Sequence, residues 1–213
     1  MVAVEDAHSI GSEPAMTPDQ ALELLRAGNQ AFLNDAPLQP ALDRASRLRL
    51  AAGQSPFAAY LSCSDSRVPP ELLFGRGLGE LFIVRNAGNT LDTAAIGSLE
   101  FAVAVLGVPL IVVMGHEACG AVQAAVSVVQ NNARFAGSIG KMIQPIIPAV
   151  LEAELSPGGG IEPAVLQNVR RVVRDLREEA SPMLLAPQAA GTLMVVGAYY
   201  RLGSGEVDFF DVP

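Results

Sequence analysis

The chain has 213 residues, half of them hydrophobic and 17% charged, and a formal net charge of −8 at pH 7. That length suits one domain with a single core. The negative balance argues against nucleic acid or an anionic membrane as a partner, and no apolar run reaches the ~18–20 residues that span a bilayer. So much apolar side chain in a domain of this size predicts a buried subunit interface as well as a core.

Residues 1–16 form an acidic lead from Met1 to Met16, without a basic region or a hydrophobic run, and read as disordered and not as a secretory signal. His8 in this lead reads as an exposed bystander. A single domain over 17–213 and a cytoplasmic location are the resulting expectations. Thr17-Pro18-Asp19-Gln20 predicts a helix start: Thr as N-cap, Pro at the first helical position, Gln three residues after the cap. Leu22, Leu25 and Phe32 give that helix an apolar face, and Pro37 and Pro40 end it. A second short helix is expected from Leu42 to Ala51, stopped by Gly53.

The period then changes. Phe57–Ser62, Leu81–Arg85, Pro109–Met114 and Thr192–Tyr199 are short apolar runs without alternation, the pattern of strands buried on both faces. Helical patterns lie between them at Asp92–Leu106, Cys119–Gln130 and Glu162–Ala180. Strand–helix alternation predicts an α/β fold with a mainly parallel sheet flanked by helices and preceded by an N-terminal helical arm. Gly203-Ser204-Gly205 before Glu206–Phe210 is a hairpin signal, so the sheet should end in an antiparallel edge strand. Ile139–Leu151 repeats apolar residues at helical spacing but is interrupted by Pro145 and Pro148, and packing on the core is preferred over a subunit face. Gly158-Gly159-Gly160 reads as a loop. Arg170, Arg171, Arg174 and Arg177 alternate with Val169, Val172, Val173 and Leu176, which is the solvated face of an amphipathic helix.

The chain holds two cysteines and two histidines. Three of these four fall into two clusters, Cys63-Ser64-Asp65-Ser66-Arg67 and His116-Glu117-Ala118-Cys119. Cys63 directly follows one expected strand, His116 follows another, and Cys119 opens the next helix, whose N-terminus favours thiolate. Sites in open parallel sheets form beyond the carboxyl ends of strands. Two thiolates and an imidazole suit Zn2+ with a fourth position left for water or Asp65. Competing uses fit less well. A phosphatase-type loop needs Cys-x5-Arg, a redox pair would be Cys-x-x-Cys, and inert buried cysteines would not need Asp65, Arg67 and His116 beside them.

These residues resemble the β-class carbonic anhydrases. The likeness covers Cys63-x-Asp65-Ser66-Arg67-Val68-Pro69, Gly115-His116-x-x-Cys119-Gly120-Ala121-Val122 and Leu81-Phe82-Ile83-Val84-Arg85-Asn86-Ala87-Gly88-Asn89. It extends to Gly28-Asn29-Gln30-x-Phe32 and Val196-Gly197-Ala198-Tyr199-Tyr200, from about Thr17 to Phe210. Tyr60 and Ser62 stand where the branch with a noncatalytic bicarbonate site prefers Trp and Gly, so the chain is closer to the plant-like branch.

The resemblance implies that Cys63, His116 and Cys119 hold Zn2+ as cofactor. It implies that zinc lowers the pKa of its water and that the resulting hydroxide attacks carbon dioxide to give bicarbonate. Asp65 would orient that hydroxide, and Arg67 would hold Asp65 ionised and off the metal; in a closed state Asp65 would itself become the fourth ligand. Gln54 matches a glutamine that binds bicarbonate across a subunit boundary. Phe82, Ala87, Phe101 and Gly120 fall at substrate-pocket positions, with Ala87 smaller than a common valine and Phe101 in place of a tyrosine found in some members. The implied assembly is a homodimer or a dimer of dimers. The same ligand set would also serve a related zinc hydrolase acting on another triatomic such as carbon disulfide, or a noncatalytic regulatory relative.

Overall fold

The computed structural model describes residues 16–36, 42–153 and 160–213. Residues 1–15 of the acidic lead, His8 among them, Pro37, Pro40 and Gly158-Gly159 lie outside the described residues. In chain order the elements are α1 (Pro18–Leu33), α2 (Arg44–Leu50), β1 (Ala58–Cys63), α3 (Pro70–Leu73), β2 (Leu81–Asn86) and α4 (Thr93–Ala104). They continue as β3 (Leu110–His116), α5 (Gly120–Asn131), α6 (Gly137–Ile143), α7 (Ile147–Glu152), α8 (Glu162–Arg174), α9 (Pro182–Ala189), β4 (Met194–Tyr200) and β5 (Val207–Phe210). The five strands form one sheet in the order β2-β1-β3-β4-β5, parallel except for the antiparallel β4–β5 pair. The expected α/β sheet with its antiparallel edge is therefore present.

Every residue of β1 and β3 is buried, as their unbroken apolar runs require. β2 has the same composition but is only half-buried along its length, because it is the sheet edge. On one face, Tyr60, Leu110, Val112, Met114 and Val196 meet Ala21, Leu22 and Leu25 of α1 together with Leu73 and Phe74. On the other, Leu61, Ile111, Val113 and Val195 meet Leu99 of α4 and Val169, Val172 and Val173 of α8. Each such aliphatic side chain stabilises the fold by about 1.5–3 kcal/mol relative to exposure.

The capping box at Thr17 and Gln20 forms as expected. The helical arm packs on its own sheet, and Gly28 explains how it comes so close: a Cβ there would sit 2.2 Å from the Phe74 carbonyl oxygen. Asn29 beside it is buried and staples three segments. Its Nδ2 donates to Gly205 O at 3.0 Å and Leu73 O at 3.4 Å, and its Oδ1 accepts from Val207 N at 3.0 Å.

Several elements differ from the sequence expectation. β1 and β3 run further than their apolar runs suggest, so Cys63 and His116 are the last residues of their strands instead of following them. The long helix over Glu162–Ala180 is α-helical to Arg174 and then widens into one π-turn over Asp175–Glu179. The Ile139–Leu151 region does pack inward through Ile143, Ile146 and Val150. Its prolines are tolerated because each falls in the first turn of a new segment, where a missing N–H costs nothing. The arginines of α8 and its π-turn are occupied at the surface: Arg171 pairs with Glu152, Arg174 with Asp175 and Arg177 with Asp211, while Arg170 lies over the Phe210 ring. Leu48, Leu72, Leu78, Phe101, Val105, Ile139 and Leu151 remain exposed, in keeping with the expected excess of apolar surface.

Candidate metal centre

β1 and β3 are hydrogen-bonded neighbours, so their carboxyl-terminal residues Cys63 and His116 emerge side by side. A tight turn then carries the chain to Cys119, the N-cap of α5. The turn requires Ala118 to adopt a left-handed backbone, φ +53°, a conformation unfavourable for a residue with a Cβ. Glu117 anchors it: its N–H donates to Tyr200 O at 2.9 Å, and its carboxylate accepts from Leu202 N at 2.9 Å and Gly203 N at 3.4 Å.

The ligand atoms of Cys63, His116 and Cys119 all lie within 4.8 Å of one another and all three residues are buried. The two sulfurs are 4.0 Å apart, against about 3.8 Å for two thiolates on a tetrahedral ion at Zn–S ≈ 2.3 Å. His116 Nδ1 is 2.8 Å from the Glu117 carbonyl oxygen. A carbonyl only accepts, so Nδ1 carries the proton and Nε2 presents its lone pair, the tautomer a metal ligand needs. That Nε2 is buried without a hydrogen-bond partner. An orphaned imidazole nitrogen facing two sulfurs is what a soft or borderline divalent cation such as Zn2+ would satisfy.

The two thiols are pushed in opposite directions. The Cys63 thiol is drawn down, first by its contact with Cys119 and then by His116 and the Gly88 N–H, which lies 3.4 Å from the sulfur. Cys119 is pushed up, first by Cys63 and then by burial. The N-terminus of α5 acts in the expected direction through the Val122 and Ala121 N–H groups, but the neighbouring sulfur outweighs it. A cation bound between them would remove the conflict and let both ionise.

Asp65 and Arg67 form a bidentate pair: Nε to Oδ1 at 2.9 Å and Nη2 to Oδ2 at 2.8 Å, with the Arg67 N–H also on Oδ1 at 3.0 Å. Arg67's hydrogen bonds, foremost, hold the Asp65 carboxyl well below the usual carboxylate range. The same Oδ2 is 4.0 Å from His116 Nε2, so the carboxylate lies beside the ligand cluster while its partner holds it. Arg85 is the residue that sequence reading missed. From the end of β2 its Nε donates to Cys63 O at 2.8 Å and its Nη2 to Asp65 O at 2.6 Å, which fixes the main chain carrying both side chains. A usable signal was present, since a cation near the end of an otherwise apolar strand needs acceptors.

The remaining expected site residues divide into two groups. Ala87 precedes Gly88 in the turn against Cys63, and Gly120 follows Cys119 with nothing within 4 Å of where its Cβ would be, so open space adjoins the cluster there. Phe82 and Phe101 contact each other with ring centroids 6.3 Å apart. Phe82 pairs with Ala59, four residues before Cys63, or roughly 13 Å along the strand. Gln54 is exposed in a depression of about 550 Å3 lined by Arg47, Leu50, Leu78 and Gly79, which contains none of the three ligands. Within one chain, Gln54, Phe82 and Phe101 thus lie toward the amino-terminal end of β1 and β2, away from the cluster.

The carbonic anhydrase family model matches residues 58–207. Carbonic anhydrase 2 of Mycobacterium tuberculosis is 37% identical over 192 residues, which cover 90% of this chain and 92% of that protein. A carbonic anhydrase of Mycolicibacterium smegmatis is 37% identical over 195 residues, covering 92% and 94%. Among solved structures, one of two tetrameric β-carbonic anhydrases from Sordaria macrospora superposes with a TM-score of 0.70 at 26% identity, over 91% of this chain and 95% of that one. The Coccomyxa β-carbonic anhydrase, solved with acetazolamide, gives 0.67 at 30% identity over 87% and 84%. With the family model spanning most of the chain, relatives matched nearly end to end and the Cys-His-Cys cluster at the strand ends, this chain belongs to the β-class carbonic anhydrase family.

Proposed function

We propose that the chain catalyses the reversible hydration of carbon dioxide to bicarbonate and a proton, with Zn2+ held by Cys63, His116 and Cys119. The observation that carries this reading is the carboxylate beside the cluster: a purely structural metal would need neither Asp65 nor its bidentate partner. Bound zinc would lower the pKa of water enough to provide a nucleophile near neutral pH. Asp65, ionised and beside the cluster, would accept a hydrogen bond from that nucleophile and so orient its lone pair toward the carbon. Arg67 keeps Asp65 ionised and held through both carboxylate oxygens; released from Arg67, Asp65 would be free to join Cys63, His116 and Cys119 in holding the metal and so close the site. Ala87 and Gly120 border the space in which the substrate sits.

The catalytic unit is a homodimer, alone or paired into a dimer of dimers. Gln54, Phe82 and Phe101 support this. They are toward the far end of the sheet from their own Cys63, and the β2 edge beside them is apolar and only half-buried. A two-fold axis crossing that edge at right angles to β2 would set the amino end of one sheet against the carboxyl end of the other, so that each chain completes its partner's pocket.

Stopped-flow carbon dioxide hydration by the zinc-loaded protein, with Asp65→Ala as control, tests the reaction; wild-type turnover no faster than buffer sinks it. Mixing inactive Cys63→Ala with Gln54→Ala tests the shared pocket. Each mixed dimer contains one complete site, so activity should reappear on mixing; failure to recover any, with mixed dimers verified, removes the proposal.

A further inference from the structure

We infer that Asn168 of α8 is a positioning residue for the metal centre, acting through the main chain of Gly88 on the Cys63 sulfur. The inference rests on the reading of Cys63 as a metal ligand. The inward face of α8 is otherwise apolar: Ala164, Val165, Val169, Val172 and Val173. Asn168 sits among them only 2% exposed. Its Nδ2 donates to the Gly88 carbonyl oxygen at 3.0 Å across a separation of 80 residues.

Gly88 is held on its other sides too. Its φ is +82°, and a Cβ there would lie 2.6 Å from Ile146 Cδ1 and 2.9 Å from Ala121 Cβ. The turn around it is closed by Asn86 Nδ2 on Thr90 O at 2.8 Å and Thr90 N–H on Asn86 Oδ1 at 2.9 Å, so residues 86–90 move as a unit. The one hydrogen bond that fixes this unit to α8 is Asn168's. On the opposite side of the unit, the Gly88 N–H donates to Cys63 Sγ at 3.4 Å. An N–H bonded to a thiolate draws charge from the sulfur and fixes its direction, and outer groups of this kind tune how a ligand binds its metal. With the donor of Asn168 gone, Gly88 O is buried without a partner, the turn shifts to find one, and the N–H leaves the sulfur.

Asn168→Leu keeps the branched outline without the donor, and Asn168→Asp keeps the shape while replacing the donor with an acceptor. Both are compared with wild type after loading with zinc, cobalt(II) or cadmium-113. Wild type should show scalar coupling between cadmium and the Gly88 amide proton. The variants should lose that coupling, move the sulfur-to-cobalt charge-transfer band to lower energy, and bind zinc about tenfold more weakly in chelator competition. Folded variants that keep both the wild-type coupling and the wild-type band overturn the inference, whatever their activity. Absence of the Gly88 coupling in cadmium-loaded wild type overturns it without any variant. A wild-type protein that takes up none of the three metals overturns the metal-centre reading itself, and this inference with it.

Discussion

Arg85→Met tests whether the loop bearing Cys63 and Asp65 is held from β2. Methionine keeps an unbranched stem of similar reach and removes both donors. The guanidinium makes two bonds to main-chain oxygens, at 2.8 and 2.6 Å. Hydrogen bonds from a charged group contribute roughly 1.5–3 kcal/mol each. Arg85 is half-buried and water can replace part of what is lost, so the lower end applies and the pair contributes about 3 kcal/mol. For a chain of this size that corresponds to a fall in Tm of roughly 6–12 °C. Activity should fall further than stability implies, since a displacement of about 1 Å at Asp65 costs on the order of 100-fold in rate. Arg85→Lys, a single point donor that does not span two carbonyls, should recover only part of both. Thermal melts of the apo and zinc-loaded protein give the first quantity and stopped-flow hydration the second. A Met variant within about 1 °C of wild-type Tm, with unchanged turnover, would refute the reasoning.

Further expectations concern the carboxylate, the pH dependence and the packing of α1. Asp65→Ala should cut kcat/KM at least 100-fold on the scale of a misplaced catalytic group, while zinc content measured by atomic absorption stays at one per chain; loss of zinc alongside activity would instead make Asp65 structural. Two thiolates leave the centre more negative than three histidines would, so activity should rise from about pH 7.5 to about 9, above the ~7 of a three-histidine zinc site, and a flat profile contradicts this. Because the folded Asp65 carboxyl lies below its unfolded value of ~3.9, its pairing stabilises the fold above that pH and fades below it. The Tm difference between wild type and Arg67→Ala should therefore hold above about pH 4 and shrink progressively as pH is lowered further below it; a difference that stays constant down to the lowest pH at which both remain folded argues against the pairing. Gly28→Ala places a methyl 2.2 Å from the Phe74 carbonyl oxygen and should destabilise by about 1–3 kcal/mol in denaturant titrations, whereas an unchanged midpoint would show that α1 shifts freely.

The sheet and the Cys-His-Cys cluster were legible because each depends on local pattern. β1 and β3 are apolar throughout since both their faces are covered, and Cys63, His116 and Cys119 stand at the ends of such runs. Arg85 was not legible as a clamp because its role arises from register: Ser62 opposite Arg85 and Cys63 opposite Asn86 bring its guanidinium back over the neighbouring strand. Helix α9 went unrecognised because Pro182 and Pro187 flank and interrupt a short apolar stretch, although Pro182 at its start is a regular first-turn residue. Gln54, Phe82 and Phe101 share pocket positions by resemblance, yet strand geometry sets them toward the other end of their own sheet. Sequence adjacency to a motif carries no information about which subunit a residue serves.

Three side chains that orient the centre end on peptide oxygens. Arg85 binds those of Cys63 and Asp65, His116 Nδ1 binds that of Glu117, and Asn168 binds that of Gly88. Every amino acid carries such an oxygen, so these acceptors place no demand on the side chain at their own position. Under evolutionary drift the donors must stay while the accepting position is free to vary wherever nothing else holds it, as the His116 tautomer would survive replacement of Glu117 by any residue that keeps the turn. Correlated substitution, the usual trace of contacting residues in related sequences, should therefore be weakest around the part of the molecule that is most tightly arranged.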